Sequence, residues 1–188
     1  GNEEQMETYA VLREAFLSGE PGSVEHLKIL EERGEVIRVI KGLYVAPDKD
    51  INEFFIMGER YKTGIFSHNT ALYFYHLTDR TPMSLDMTFP SNVRVNNDFL
   101  EPHYIKSELH SLGETTLKLE DGTNIKIYDL ERTICDIIRD RNKIDPQIFN
   151  TAMKEYFKSN KRNLNLLYKY AKKLKIDKIL KKYMEVLD

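Results

Sequence analysis

The sequence predicts an α/β (α+β) protein: a reduced N-terminal winged helix, then a mixed, mainly antiparallel sheet with helices, then a helical C-terminus. Three observations predict it. β-Prone residues 36–40 and 43–46 are separated only by Lys41-Gly42 and follow two helical patterns, the order of a winged helix. Asp121-Gly122 lies between the strand-like runs 115–119 and 124–128, a strong hairpin signal. From Asp129 onward apolar residues recur at helical spacing.

Taken in order, residues 6–17 place Tyr9, Leu12, Ala15 and Phe16 on one helical face, and Gly19-Glu20-Pro21-Gly22 stops the helix. Ser23 can cap a second helix whose stripe is Val24, Leu27 and Leu30, with Gly34 as its stop. The hairpin follows. Pro47, Asp48 and Asp50 mark a boundary, giving a winged-helix-like domain over 1–48 and an α/β domain over 49–188. Phe54, Phe55, Ile56 and Tyr61 predict a third helix, and Ser67 is placed to cap a fourth through Ala71, Leu72 and Tyr75. Leu85, Met87 and Phe89 alternate with Ser84, Asp86 and Thr88, the period of a half-buried strand, and 104–109 reads as another. Asp129 then caps a helix with Leu130, Ile134, Ile137 and Ile138 inward and Arg132, Asp136, Arg139 and Asp140 outward. Asp145-Pro146 starts the next, and Asn163 and Asp177 start two more.

The 188 residues carry a net charge of only −2, so a protein-wide basic field is absent. The charge is unevenly spread: residues 1–50 sum to −5, 51–141 to −4 and 142–188 to +7. No run approaches the roughly 20 apolar residues that span a bilayer. The absence of a secretory signal pattern and the single cysteine, Cys135, favour the reducing cytoplasm. Gly1-Asn2 reads as a remnant of processing and is left out of the fold reasoning.

Three segments together resemble the AbiEi-type antitoxins of abortive-infection toxin–antitoxin operons: GEVIRVIKGLYVAP at 34–47, IFSHNTALYFYHLTDRTP at 65–82 and YDLERTICDIIRDR at 128–141. The third is the most specific. The resemblance implies a winged helix that binds the operon's own promoter and a C-terminal α/β domain needed for antitoxicity. The functional partner it implies is a nucleotidyltransferase-like toxin, countered without a stable complex. Here two helices precede the wing where the family usually has three, and the second presents Glu25, His26, Lys28, Glu31 and Glu32. The DNA-contacting candidates are His26, Lys28 and Arg33 on and after that helix, and Arg38 and Lys41 on the wing. A C-terminal stripe of Lys169, Lys172, Lys173, Lys178, Lys181 and Lys182 completes the set.

Catalysis, a cofactor and a metal are not expected. No Gly-rich phosphate loop, Ser/His/Asp arrangement or zinc-like spacing occurs. His68 reads as a hydrogen-bonded histidine at a helix start and Cys135 as a packed thiol. Asp129 reads as a cap, and Arg132 with Asp136 as an i, i+4 ion pair. The rival from another class is a metal-dependent nuclease using Asp121, Asp129 and Glu131. Asn124 stands where such a site needs a second carboxylate. A third reading is a protein-interaction module whose winged helix has lost its DNA role.

Overall fold

The computed structural model describes residues 23–34, 37–40, 43–45 and 52–187. The expected first helix at 6–17 and the connection at Lys41-Gly42 lie outside the described residues. The chain divides into two compact units, 1–62 with 117–125, and 63–116 with 126–188. The seam at 62/63 differs from the 48/49 boundary read from Pro47, and the hairpin tip 117–125 belongs to the N-terminal unit.

In the N-terminal unit, helix α1 (Ser23–Glu32) precedes strands β1 (Ile37–Ile40) and β2 (Leu43–Val45). The strands are antiparallel, with Ile37 opposite Val45 and Arg38 opposite Tyr44. Helix α2 (Glu53–Arg60) follows, and Asn52 caps it by accepting from the Phe54 and Phe55 N–H groups at 3.0 and 3.3 Å. The amide of Asn52 donates to Asp121 Oδ2 at 2.9 Å and Thr123 Oγ1 at 3.1 Å. One side chain thus closes a helix start and ties it to the tip of a distant hairpin.

The elements that follow are β3 (Ile65–Phe66), α3 (His68–Phe74), β4 (Leu85–Pro90), β5 (Leu100–Ile105), α4 (Ser107–His110), β6 (Glu114–Lys118) and β7 (Asn124–Tyr128). Their strands form one sheet in the order β5-β4-β3-β7-β6. It is mixed, as expected. β4 and β5 are parallel from Leu85 opposite Leu100 to Pro90 opposite Ile105, β3 and β7 are parallel, and β3 and β4 are antiparallel. Residues 91–99 carry the chain back to the start of the sheet without a helix, shorter than the dozen or so residues usual for such a return. Ser91 N–H to Ile105 carbonyl (2.8 Å) and Leu85 N–H to Phe99 carbonyl (3.1 Å) fasten the ends of that return.

Two strand expectations change. The second candidate at 104–109 is instead the end of β5 and the short helix α4, and β5 begins at Leu100. β4 is not half-buried, because Asp86 and Thr88 are as enclosed as Leu85, Met87 and Phe89. Its polar alternate residues face other polar groups.

Helices α5 (Leu130–Arg139), α6 (Pro146–Lys158), α7 (Leu164–Lys173) and α8 (Asp177–Leu187) complete the chain, with a 3₁₀ turn at Arg141–Lys143. The expected caps form: Asp129 accepts from Arg132 N–H at 2.8 Å, Asp145 from Gln147 N–H at 2.8 Å and Asn163 from Leu166 N–H at 3.0 Å. Ser67 occupies the N-cap position of α3 without making the cap bond, since its hydroxyl is engaged elsewhere. Leu72, Ile134, Ile137, Met153, Tyr156, Leu167, Ala171 and Leu180 form the helical core, each large apolar side chain contributing about 1.5–3 kcal/mol. Among the described residues no helix is long and apolar enough to cross a membrane.

The expected two-faced pattern of α5 fails. Glu131, Arg132 and Asp136 are buried along with the isoleucines, because distant elements supply their partners. Glu131 Oε2 accepts from Tyr156 O–H at 2.7 Å and from Asn163 N–H at 3.1 Å, joining α5 to α6 and to the start of α7. Replacing Tyr156 by phenylalanine removes one of these bonds to a buried carboxylate and is expected to cost about 1.5–3 kcal/mol. The urea midpoint should fall at unchanged slope, and an unshifted midpoint would show that the bond contributes nothing.

Candidate functional site

A cavity of about 730 Å³ opens in the C-terminal unit, lined in part by His68, Asp86, His103 and Asp140. The junction of β3 and α3 supplies His68, β4 supplies Asp86, β5 supplies His103 and the end of α5 supplies Asp140. Strand order puts β4 between β5 and β3, which brings residues far apart in sequence to one wall.

The two imidazoles stack, with centroids 3.7 Å apart and planes 14° from parallel. Each has its own carboxylate. His68 Nε2 is 2.7 Å from Asp140 Oδ2, and His103 Nε2 is 2.9 Å from Asp86 Oδ1. Behind them, His68 Nδ1 meets Ser67 Oγ at 2.8 Å, and Thr88 donates to the same Ser67 oxygen at 2.7 Å. Thr70 donates to Asp86 Oδ2 at 3.2 Å and accepts from Asp86 N–H at 2.8 Å. His68 has φ +49°, a left-handed conformation that costs energy in a residue other than glycine.

Burial pushes the Asp140 carboxyl up, but the hydrogen bond and charge of His68, aided by Arg139 and His103, outweigh it and hold Asp140 below the usual carboxylate range. Ser67, His68 and Asp140 have the residue types of a hydrolytic triad. Ser67, however, is wholly buried, so a substrate cannot reach it as a nucleophile. What the wall offers is a pair of oriented imidazoles, each with its carboxylate, beside an open volume, donors suited to holding a cation.

His68 stands at a helix start and is hydrogen-bonded, as its sequence context suggests; His103, Asp86 and Asp140 escape sequence reasoning because no short spacing links them to it. The nuclease candidates are each engaged in other bonds. Asp121 accepts from Asn52 and from Thr123 N–H and O–H; burial raises its carboxyl, and these bonds more than offset that. Asp129 caps α5 and accepts from Tyr170 O–H at 2.7 Å. Cys135 is sealed in the core, its thiol pushed up by burial and by Asp136.

Of the DNA-contact candidates, Lys28 and Arg33 are exposed, His26 lies on α1, Arg38 lies on β1, and Lys41 falls outside the described residues. Lys169, Lys172, Lys173, Lys178, Lys181 and Lys182 are all exposed on α7 and α8. Lys172 and Lys181, from different helices, place Nζ atoms 5.2 and 5.4 Å from the centre of the Tyr168 ring. The Tyr168 hydroxyl, hydrogen-bonded to the Lys181 ammonium, raises that group above its ordinary value. One lysine from each of the two helices therefore meets at the same ring.

No protein-family model matches the chain, and no curated protein matches it. Among solved structures it is similar to the RV2827C protein from Mycobacterium tuberculosis, with a TM-score of 0.56 over 82% of this chain at 11% sequence identity. The chain spans 60% of that protein's length, and the likeness is one of fold: the same mixed α/β architecture.

Proposed function

We propose that this chain is a DNA-binding regulator and antitoxin of the AbiEi type, repressing its own operon and countering a nucleotidyltransferase-like toxin in the cytoplasm without a lasting complex with it. The observation that carries the DNA half is the meeting of Lys172 and Lys181 over Tyr168. It brings one lysine from each of α7 and α8 to the same ring, on helices that carry four more exposed lysines, charge of the sign that phosphates recruit. The helix and antiparallel strands of the N-terminal unit add a candidate groove-reading element, with Arg38 on its first strand. The antitoxin half rests on the three resembling segments, and it requires no catalytic group.

Binding to a fragment of the upstream region of its own gene tests the first half. With six phosphate contacts the log–log salt slope is expected to be about −5, and a specific site should be bound well above unrelated DNA of equal length. Equal binding to both, or none at low salt, would overturn the regulator reading. Co-expression with the adjacent gene tests the second half: growth should be arrested by that gene alone and restored by this one. Failure to restore growth would remove the antitoxin role.

A further inference from the structure

We propose that His68, His103 and Asp140 form a binding site for one divalent first-row transition-metal ion at the cavity wall. The site is independent of the DNA reading. One donor atom from each of the three residues lies within 4.8 Å of the other two, the only such group of three or more among the described residues. Two imidazoles and one carboxylate are donors that zinc, iron, cobalt and nickel accept, and three protein ligands leave a position open. All three residues line the cavity.

The surroundings have the form that metal ligands need. An imidazole that binds a metal is oriented through its other ring nitrogen, commonly by a carboxylate or hydroxyl. Ser67 does this for His68 Nδ1, and Thr88 fixes Ser67 in turn. Asp86 does it for His103 Nε2, and Thr70 fixes Asp86. His68 Nε2 and Asp140 Oδ2 face one another, and with Nε2 of His103 on Asp86, the nitrogen that ring has left to offer as third donor is Nδ1. Ser67, His68, Thr70, Asp86 and Thr88 are at most 6% exposed, so an extensive polar network is buried in support of two histidines. Two separate His–Asp pairs would account for each hydrogen bond singly. They would not require the two rings to stack face to face on one wall.

Loading the ion moves one ligand more than the others. Donors on a tetrahedral shell at 2.0–2.1 Å bond lengths stand about 3.4 Å apart, whereas His68 Nε2 and Asp140 Oδ2 are hydrogen-bonded at 2.7 Å and must part slightly to admit an ion. Parallel rings also aim their lone pairs side by side and not at one point. The His68 side chain is 2% exposed and held by its backbone and Ser67, whereas that of His103 is 26% exposed. His103 therefore tilts out of the stack to complete the site.

Titration of chelator-stripped protein with zinc, followed by calorimetry, should give one equivalent bound. Cobalt should then give visible bands of a nitrogen- and oxygen-ligated ion, without the near-ultraviolet band of a thiolate. His103→Gln and Asp140→Asn should each weaken zinc by at least about 100-fold, and Asp86→Asn by about 10–100-fold with stoichiometry retained. Circular dichroism without zinc checks that each variant is folded. Nitrogen-correlated NMR of the unmutated protein gives a second readout: zinc should shift the ring nitrogens of His68 and His103 and leave His76 and His110 in place. Absence of saturable zinc binding would overturn the proposal. So would unchanged affinity in the His103→Gln/Asp140→Asn double variant, or zinc shifts confined to other histidines.

Discussion

Replacing Asp136 by alanine is expected to destabilise the protein by about 3–5 kcal/mol, the cost of stranding a buried charge. The stranded group is Arg132. Its side chain is wholly buried, and its Nε lies 3.1 Å from both Asp136 oxygens. Nη1 donates to the carbonyls of Leu109 and Leu112 at 2.8 and 2.6 Å, and the guanidinium carbon sits 4.1 Å from the centre of the Tyr128 ring. Those partners satisfy hydrogen bonds but carry no negative charge. Asp136 alone in this set supplies one, and it also holds Arg139 at 3.4 Å. Gly113 makes room for the arrangement: at φ +81° it has no side chain, and a Cβ there would meet Arg132 Cβ at 2.6 Å. Urea denaturation measures the loss. The double variant Arg132→Met/Asp136→Leu should recover most of it, since exchanging a buried ion pair for apolar groups of similar volume is often neutral. A loss below about 1 kcal/mol for Asp136→Ala would place the pair with exposed ion pairs and refute this account.

Changing Lys169, Lys172, Lys173 and Lys181 to glutamine should markedly flatten the salt dependence of promoter binding. Each phosphate contact contributes about 0.9 to the log–log slope, so losing four reduces it by about 3.6. Near 0.1 M salt, that corresponds to an affinity loss of about three to four orders of magnitude. Folding should be almost untouched, because all four side chains are exposed on α7 and α8 while Leu167 and Ala171 of α7 and Leu180 of α8 hold those helices to the core. The thermal midpoint therefore serves as the internal control. If affinity and slope both survive, the lysines are solubilising surface, and DNA contact falls to Arg38 and Lys41.

Local signals were legible in the sequence wherever a residue acts on its near neighbours. Asp129, Asp145 and Asn163 each cap the helix they precede, and Asp121-Gly122 closes the turn between β6 and β7, with Gly122 at φ +86°. Long-range pairing was not legible. Asp136 and Glu131 look like solvent residues on a helical wheel, yet Arg132 and Tyr156 enclose them. Pro102 discourages a strand assignment before residue 104, but β5 is the edge strand of its sheet, where proline is tolerated. The cavity wall is the extreme case, since His68 and its carboxylate partner stand 72 positions apart.

The double duty of Asn52 bears on how the protein can be divided. Because residues 117–125 belong with 1–62, the N-terminal unit is discontinuous, and a single cut at the seam does not release it whole. A fragment ending at Lys62 would keep the Asn52 cap on α2 but lose Asp121 and Thr123 from the same side chain's amide. Recombination that exchanged such a piece would have to import a matching hairpin tip from a distant part of the gene, so the two ends of this tie are expected to be inherited together.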